Sequence, residues 1–291
     1  MKFISENETC LITLLTQKIG YSITKAKKDI KNSEIIINKT ASKEPNPVIP
    51  KGAVVEIKRK KRIDQENISI LYEDNQLIAV DKPAGIISIG TCRNNEDSLF
   101  GKVNSYLKKT TAGRERAFIV HRLDQKVSGV VLLAKSAETE KLLEEHWQEY
   151  EKYYHALVEG TPQKSKGTIE SWLFEDRNFK VHSGLKREGG KLAITRYEVE
   201  RRFRNFTLLN VRLYTGRKNQ IRVHLADIGC PIAGDLKYGA SANPLGRLAL
   251  HAHTFKMTHP VTGEKLVLSS PTPARFFLFS GQNPDEIPRS Q

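Results

Sequence analysis

The chain has 291 residues, of which 38% are hydrophobic and 27% charged. It is therefore long enough for two folded units of ordinary globular composition. No stretch approaches the ~20 apolar residues of a spanning helix, which excludes a protein built from membrane helices. The 47 Lys and Arg residues outnumber the 33 Asp and Glu residues, for a net charge of +14. This excess favours a polyanionic partner, most often nucleic acid, although a solvated basic surface is the simpler alternative.

The cysteines and the N-terminus indicate the compartment. Cys10, Cys92 and Cys230 are widely separated, so their spacing predicts neither a disulfide framework nor a metal site. The apolar run Leu11–Leu15 follows two acidic residues and is too short for a secretory signal. We therefore expect a reducing, cytoplasmic environment.

Residues 1–64 are more basic than the remainder, with 14 Lys and Arg against 7 Asp and Glu. The apolar spacing from Leu11 to Ile19 predicts a helix that ends at Gly20. Ser22 or Thr24 is a candidate cap for a second helix, which carries four lysines. Strands are expected at Ile35–Ile37, before a turn, and at Val54–Ile57, after the Pro50–Gly52 turn. We predict a small basic α/β domain over 1–64. The basic run 58–62 then leads into a polar linker ending near residue 67, which is either simply solvated or a further contact for a polyanion.

The pattern from residue 68 onward is mixed. Strands are predicted at Ile68–Tyr72, Leu77–Val80, Val130–Leu133, Tyr153–Val158, Phe206–Leu213, Leu248–Phe255 and Lys265–Leu268. Helices are predicted at Ser98–Lys108, at Ala137–Tyr150 after a Ser136 cap, and at Asn219–Ile228. Strands and helices do not alternate regularly. We therefore predict an α+β domain over 68–285, built around a mixed, largely antiparallel sheet.

One carboxylate stands at a place where a sheet presents rigid side chains. Asp124 lies in the segment His121–Gly129, between basic residues and the apolar strand Val130–Leu133. Such an edge can hold a single acidic group for chemistry. A salt-bridged Asp that caps a turn is the alternative, and local physics alone favours it.

A second segment, Thr215–His224, passes from a strand through Gly216 into a helix. Helix N-termini and Arg side chains both suit phosphate oxygens, although an ordinary solvated helix has the same composition. Arg222 borders the buried face of this helix. It therefore needs a carboxylate partner, for which Asp124 is a candidate.

Two further groups of residues are candidates for a site. Alternation along Lys152–Val158 places Lys152 and Tyr154 on one face of a strand, where a Tyr is usually a core residue. His251, His253 and His259 lack a recognisable metal-ligand spacing, so we expect core or hydrogen-bonded histidines there.

Together these segments resemble the RluA family of pseudouridine synthases. Six stretches match its motifs in family order over about residues 68–280: Lys82–Gly85 (KPAG), His121–Gly129 (HRLDxxTSG), Lys152–Val158 (KxYxALV), Thr215–His224 (TGRxHQIRxH), Gly234–Gly239 (GDxxYG), and Leu250–Ala252 with His259–Pro260 (LHA and HP). Each motif alone is weak, but their combination is specific. The N-terminal unit is similar, more loosely, to the small α-L RNA-binding domain that many members carry.

The resemblance implies isomerisation of uridine to pseudouridine in ribosomal or transfer RNA, with no cofactor, metal, membrane or obligate protein partner. Asp124 would be the nucleophile, attacking either C1′ of the ribose or C6 of the base. Arg222 would keep that carboxylate ionised, and Tyr154 would help to remove the C5 proton. Arg122 would hold the flipped-out region of RNA. The other residues expected to bind substrate are His121, Lys152, Arg217, Asn219 and Gln220.

Two positions depart from the family pattern. Val127 replaces the usual Thr, and Asn219 replaces the usual His, which leaves a hydrogen-bonding side chain that cannot be protonated. Both departures bear on the substrate more than on the reaction. Two rival interpretations stay open at this point. One is an RNA-binding protein without catalysis, and the other is a different enzyme with an Asp nucleophile, such as a phosphohydrolase.

Overall fold

The computed structural model of the chain describes residues 2–19, 22–31, 33–38, 40–42, 44, 46–59, 68–90 and 95–278. The chain divides into two compact units, Met1–Asn67 and Ile68–Gln291. The predicted helix end at Gly20, residues 60–67 of the predicted linker and Cys92 lie outside the described residues. None of the described helices is long and apolar enough to cross a membrane.

The first unit contains two helices and six short strands among its described residues. They are β1 (Lys2–Ile4), β2 (Thr9–Cys10), α1 (Leu11–Ile19), α2 (Ile23–Lys31), β3 (Ser33–Ile37), β4 (Thr40–Ser42), β5 (Val48–Ile49) and β6 (Val54–Arg59).

The helices of this unit follow from its apolar spacing. Leu11, Leu14 and Leu15 of α1 are buried together with Ala26 and Ile30 of α2, at the helical spacings of one face. Four strands form an antiparallel sheet in the order β1-β6-β3-β4, and β2 pairs with β5. Both predicted helices and both predicted strands are present, whereas the sequence did not predict β1, β2, β4 and β5.

The second unit holds eleven strands and three α-helices among its described residues. They are β7 (Ser69–Glu73), β8 (Leu77–Lys82), α3 (Leu99–Thr110), β9 (Phe118–Ile119), β10 (Ser128–Ala134), α4 (Ala137–Glu145), β11 (Glu151–Glu159), β12 (Lys166–Glu175), β13 (Val181–Gly184), β14 (Lys191–Arg202), β15 (Phe206–Leu213), α5 (Gln220–Asp227), β16 (Leu250–Thr258) and β17 (Lys265–Ser269).

These strands form one mixed sheet in the order β13-β12-β14-β15-β11-β16-β10-β8-β7, with β17 paired to β16 and β9 to β10. Among the pairs of this sheet in the described chain, only β10 with β16 is parallel. The predicted α+β class with a largely antiparallel sheet is therefore confirmed.

The centre of the sheet is buried on both faces, which explains its continuous apolar strands. In β10, Val131 and Leu133 belong to one hydrophobic cluster, whereas Val130 and Leu132 belong to another. Every residue of β10 is buried, so this strand is a fixed base for the loop that precedes it. That loop carries Asp124.

Candidate active site

A cavity of about 370 Å³ opens where three segments of the second unit meet. They are the loop before β10, the middle of β11, and the loop that leads into α5. The polar or charged residues that line it are Arg122, Asp124, Tyr154, Arg217, Lys218, Asn219, Gln220 and Arg222. Its apolar lining comes from Leu123, Val127, Leu213, Ile221 and Leu250. Four of the six motif segments therefore contribute to one cavity, because Leu250 belongs to the LHA motif.

The two neighbours of Asp124 are fixed by the turn that follows β8. The Ser88 hydroxyl donates to the Leu123 carbonyl at 2.6 Å and accepts from the Leu123 N–H at 3.0 Å. On the other side, the Gly85 N–H donates to the Gln125 carbonyl at 2.7 Å, and the Gln125 side-chain amide donates back to the Gly85 carbonyl at 3.0 Å. The carboxylate between these anchors is 30% exposed, so it is held rigidly and still reaches solvent.

Lys82 closes the base of this turn. Its side chain is fully buried, and Nζ donates to the carbonyls of Pro83 (3.1 Å), Ile86 (2.7 Å) and Gln125 (3.3 Å). Burial, together with the nearby charge of Arg247, lowers the pKa of Lys82 to about 8. The KPAG segment thus supplies a buried ammonium group that ties the turn to the loop carrying Asp124.

The start of β10 approaches β16 so closely that only glycine fits. Gly129 pairs with Ala252 in the parallel register and has a φ of +117°. A Cβ at this position would lie 2.1 Å from the Ala252 carbonyl oxygen. This close contact fixes where the strand begins after the Asp124 loop.

Arg222 projects from α5 into the cavity and lies near two carboxylates. Its Nε and Nη2 atoms each donate to Asp235 at 2.7 Å, whereas Nη1 lies 3.5 Å from Asp124 Oδ2. The expected pairing with Asp124 is thus the looser contact, and the main partner is Asp235. These bonds outweigh burial and raise the pKa of Arg222, which keeps it charged.

The loop before α5 is ordered by its own side chains. Asn219 has a φ of +55°, a conformation that Asn tolerates, and its side chain accepts from Arg222 Nη1 at 3.0 Å and donates to the Tyr238 hydroxyl at 3.0 Å. Gln220 is 2% exposed, and its amide is engaged by Thr215, Arg217, Ile194 and Thr195. Asn219 therefore supports Arg222, whereas Gln220 holds the loop.

Tyr154 reaches the cavity from β11. Burial raises the pKa of its hydroxyl, and the nearby charge of Asp124 raises it further. The side chain is therefore a neutral phenol at physiological pH.

The other predicted substrate contacts divide into two groups. Arg122 and Arg217 line the cavity and are exposed. His121 instead packs against Trp147 and Phe255, and its Nε2 atom accepts from the Leu132 N–H at 2.9 Å, with burial lowering its pKa to about 3. Lys152 is likewise not part of the described cavity lining. It is buried, and its Nζ atom donates to the Trp147 carbonyl at 3.0 Å.

Asp235 was absent from the set of predicted site residues. It lies in the GDxxYG motif, thirteen residues after Arg222, and its side chain is 2% exposed. A partial signal was present, because the sequence already required a carboxylate partner for Arg222 and the GDxxYG motif carries one.

Comparison with known proteins assigns this arrangement to a class. The model of the RNA pseudouridylate synthase family matches residues 76–227, more than half of the chain. A Mycobacterium bovis protein named as an uncharacterized RNA pseudouridine synthase is 36% identical over 221 residues, which cover 73% of this chain and 71% of that protein. The ribosomal large subunit pseudouridine synthase D of Pasteurella multocida is 32% identical over 241 residues, 77% of this chain and 74% of its own.

A solved structure shares the fold. Human RNA pseudouridylate synthase domain containing 4 aligns with a TM-score of 0.61 and 24% identity, over 72% of this chain and 90% of that one. The chain therefore belongs to the RNA pseudouridylate synthase family. It is an isomerase that converts uridine to pseudouridine in RNA, and the resemblance found in the six motifs is confirmed at the level of the family.

Proposed function

We propose that Asp124 is the nucleophile of this pseudouridine synthase, and that the target uridine of a ribosomal or transfer RNA binds in the cavity beside it. The observation that carries the proposal is the position of the Asp124 carboxylate. It lines the cavity, 3.5 Å from Arg222 and close enough to Tyr154 to affect its pKa. The name of the Pasteurella relative favours ribosomal RNA among the possible substrates.

The reaction moves one bond and one proton. The bond from C1′ to N1 breaks, the uracil turns while it is held, and C1′ joins C5. The proton on C5 leaves, N1 gains a proton, and no electrons are supplied or removed. Attack by Asp124 on C1′ or on C6 satisfies this balance, and Arg222 stabilises the carboxylate before attack.

Tyr154 is proposed to assist the transfer of the C5 proton. Because its pKa is raised, the resting phenol still holds its own proton. It can therefore accept the C5 proton only if its hydroxyl proton is passed on in the same step, towards the N1 atom that must be protonated in the product.

The target nucleotide must leave its stack to reach a carboxylate in a cavity. Arg122, Arg217 and Lys218 stand exposed at the cavity, where their charges suit phosphate oxygens. We propose that Arg122 holds the strand around the flipped nucleotide. We further propose that the first unit is an RNA-binding domain of α-L type, supported by its basic composition, and that the enzyme acts in the cytoplasm.

Mapping of pseudouridine across cellular RNA, with and without this protein, tests the proposal and identifies the substrate. Complementation with the parent and with Asp124→Asn should restore the missing sites only for the parent. Restoration by the variant would overturn the role of Asp124, whereas a map that is unchanged by loss of the protein would overturn the proposed substrates.

A further inference from the structure

The hairpin that joins β12 to β13 carries an unusual residue at its tip. The Asp176 N–H donates to the Lys180 carbonyl at 2.9 Å, the Phe179 N–H donates to the Asp176 carbonyl at 3.0 Å, and Asp176 Oδ1 accepts from the N–H groups of Asn178 and Lys180. Phe179 itself has a φ of +58° and is 70% exposed. An aromatic side chain thus occupies a left-handed turn position and projects into solvent.

The stability of the fold does not explain why a phenylalanine occupies position 179. A left-handed conformation is unfavourable for a bulky residue, and Gly or Asn is the usual choice in such hairpin turns. Exposure of the ring also forgoes the burial that normally stabilises a phenylalanine. A residue that is unfavourable on both counts points to a function at the surface.

Cationic side chains surround this ring and connect it to the candidate active site. Lys218 Nζ lies 5.6 Å from the ring centroid of Phe179, and Lys218 also lines the cavity that contains Asp124. Lys237 Nζ donates to the Phe179 carbonyl at 2.9 Å. Lys180, Lys218 and Lys237 are all exposed.

The acidic groups nearby are already engaged. Glu175 forms an ion pair with Lys218, and Asp176 contacts His182 at 2.8 Å as well as the turn amides. The surface at the tip therefore combines an open aromatic face with positive charge, the two features that bind unpaired nucleotides.

We propose that Phe179 is a stacking subsite for an unpaired base of the substrate RNA, next to the target uridine. The proposal rests on the proposed placement of that uridine beside Asp124. When the uridine leaves the stack, a neighbouring base loses its stacking partner, and the Phe179 ring, which contacts the cavity-lining Lys218, replaces it. Lys180 and Lys237 contact the phosphates on either side.

Binding to short RNA tests this subsite directly. The probe is a single-stranded 12-nucleotide RNA with one uridine and 2-aminopurine at an adjacent position, whose fluorescence falls when it stacks. Phe179→Ala should weaken binding by about 5- to 150-fold, the range that one stacked base provides, and should abolish the fall in fluorescence. Phe179→Trp should retain both. Val267→Ala, which removes an exposed apolar side chain from β17, is the matched control and should bind like the parent.

Two further measurements separate stacking from other causes. The dependence of affinity on salt should stay unchanged in Phe179→Ala, because no phosphate contact is lost, whereas Lys180→Gln should reduce it. Phe179→Gly should unfold at the same temperature as the parent or higher, since glycine adopts this φ freely, while binding as weakly as Phe179→Ala.

Binding of Phe179→Ala within two-fold of the parent, or an equal loss of affinity for a fully paired RNA, would overturn the subsite. Failure of the proposed function has a different signature. Full product formation by Asp124→Asn would show that the target uridine does not react at Asp124. It would leave the oligonucleotide result for Phe179 unaffected.

Discussion

Arg222 donates two hydrogen bonds of 2.7 Å to Asp235, one to each carboxylate oxygen. This two-point contact fixes the plane of the guanidinium group and leaves Nη1 to contact Asn219 at 3.0 Å and Asp124 at 3.5 Å. Asp235 is almost wholly buried and does not line the cavity, so it acts by positioning Arg222.

Replacement of Asp235 by Asn should therefore affect both stability and turnover. The buried guanidinium would lose its charged partner, at a cost of about 3–5 kcal/mol in the free energy of unfolding. In molecules that remain folded, kcat should fall more than KM changes, because Arg222 is no longer aimed at Asp124. Urea unfolding and steady-state kinetics measure the two effects. Parental values for both would show that Asp235 does not position Arg222. The matched control is Asp97→Asn, at an exposed position.

Replacement of Asp124 by Asn preserves the size of the side chain and removes the proposed nucleophile. Product formation should fall by on the order of 10³-fold or more, whereas RNA binding should stay close to that of the parent. Single-turnover assays and equilibrium binding measure these separately. Turnover within a few-fold of the parent would exclude Asp124 as the nucleophile.

Tyr154→Phe tests the phenol in the same cavity. The ring supplies packing in β11 and the hydroxyl is the group proposed to transfer the proton, so the variant should fold normally and form product much more slowly. Tyr153→Phe, at the adjacent position, removes a hydroxyl that donates only to Glu151 at 2.9 Å and serves as the control. If Tyr154→Phe reacts at the parental rate, Tyr154 is a core residue and nothing more.

Lys82 makes the stability of the enzyme depend on pH in the alkaline range. Its pKa is about 8 in the folded protein and 10.5 without burial, so between these values the unfolded chain binds the additional proton. The free energy of unfolding therefore rises with pH across this window. The contribution of Lys82 is lost again as the pH falls through about 8. Lys82→Met has no such titration. Between about pH 8 and about pH 10.5, the free energy of unfolding of the parent should therefore increase relative to that of Lys82→Met. A difference that stays constant with pH would contradict the lowered pKa.

The sequence predicted the elements whose apolar pattern was strong. The β15 strand runs over Phe206–Leu213, the predicted bounds, and α3 begins after the predicted Ser98. The strands β12, β13 and β14 were missed because they form one end of the sheet, where charged residues interrupt the apolar alternation. The helix α4 ends at Glu145 rather than at Tyr150, because the following turn brings Trp147 and Tyr150 against Phe255.

For the site, the sequence located the main residues but not the contacts that hold them. The motifs predicted that Asp124, Tyr154 and Arg222 share one site, and all three line one cavity. The contacts that hold them in place are tertiary, and no local sequence pattern reveals them. The Ser88–Leu123 bonds join residues 35 positions apart, and only the folded chain shows that Lys82 reaches the Asp124 loop. Nor does local sequence distinguish Gln220, which faces inward, from Arg217, which is exposed.

We expect the basic first unit to supply affinity for RNA. Residues 1–64 carry an excess of seven positive charges, whereas all six motifs lie after residue 67. If its lysines contact phosphates, RNA binding releases counterions, and log affinity falls linearly with log salt. Deletion of residues 1–64 should then weaken binding and flatten this slope by roughly 0.9 per lost contact on a duplex, or about 0.7 on single strands.

The chemical step should survive the same deletion, since no cavity residue is removed. Single-turnover rates at saturating enzyme measure that step, and circular dichroism establishes that the truncated chain is folded. An unchanged salt slope in a folded, binding truncation would show that the N-terminal charge is only a solvated surface. A truncation that binds but does not react at saturation would show instead that the first unit completes the active site, because loss of affinity alone is overcome by excess enzyme.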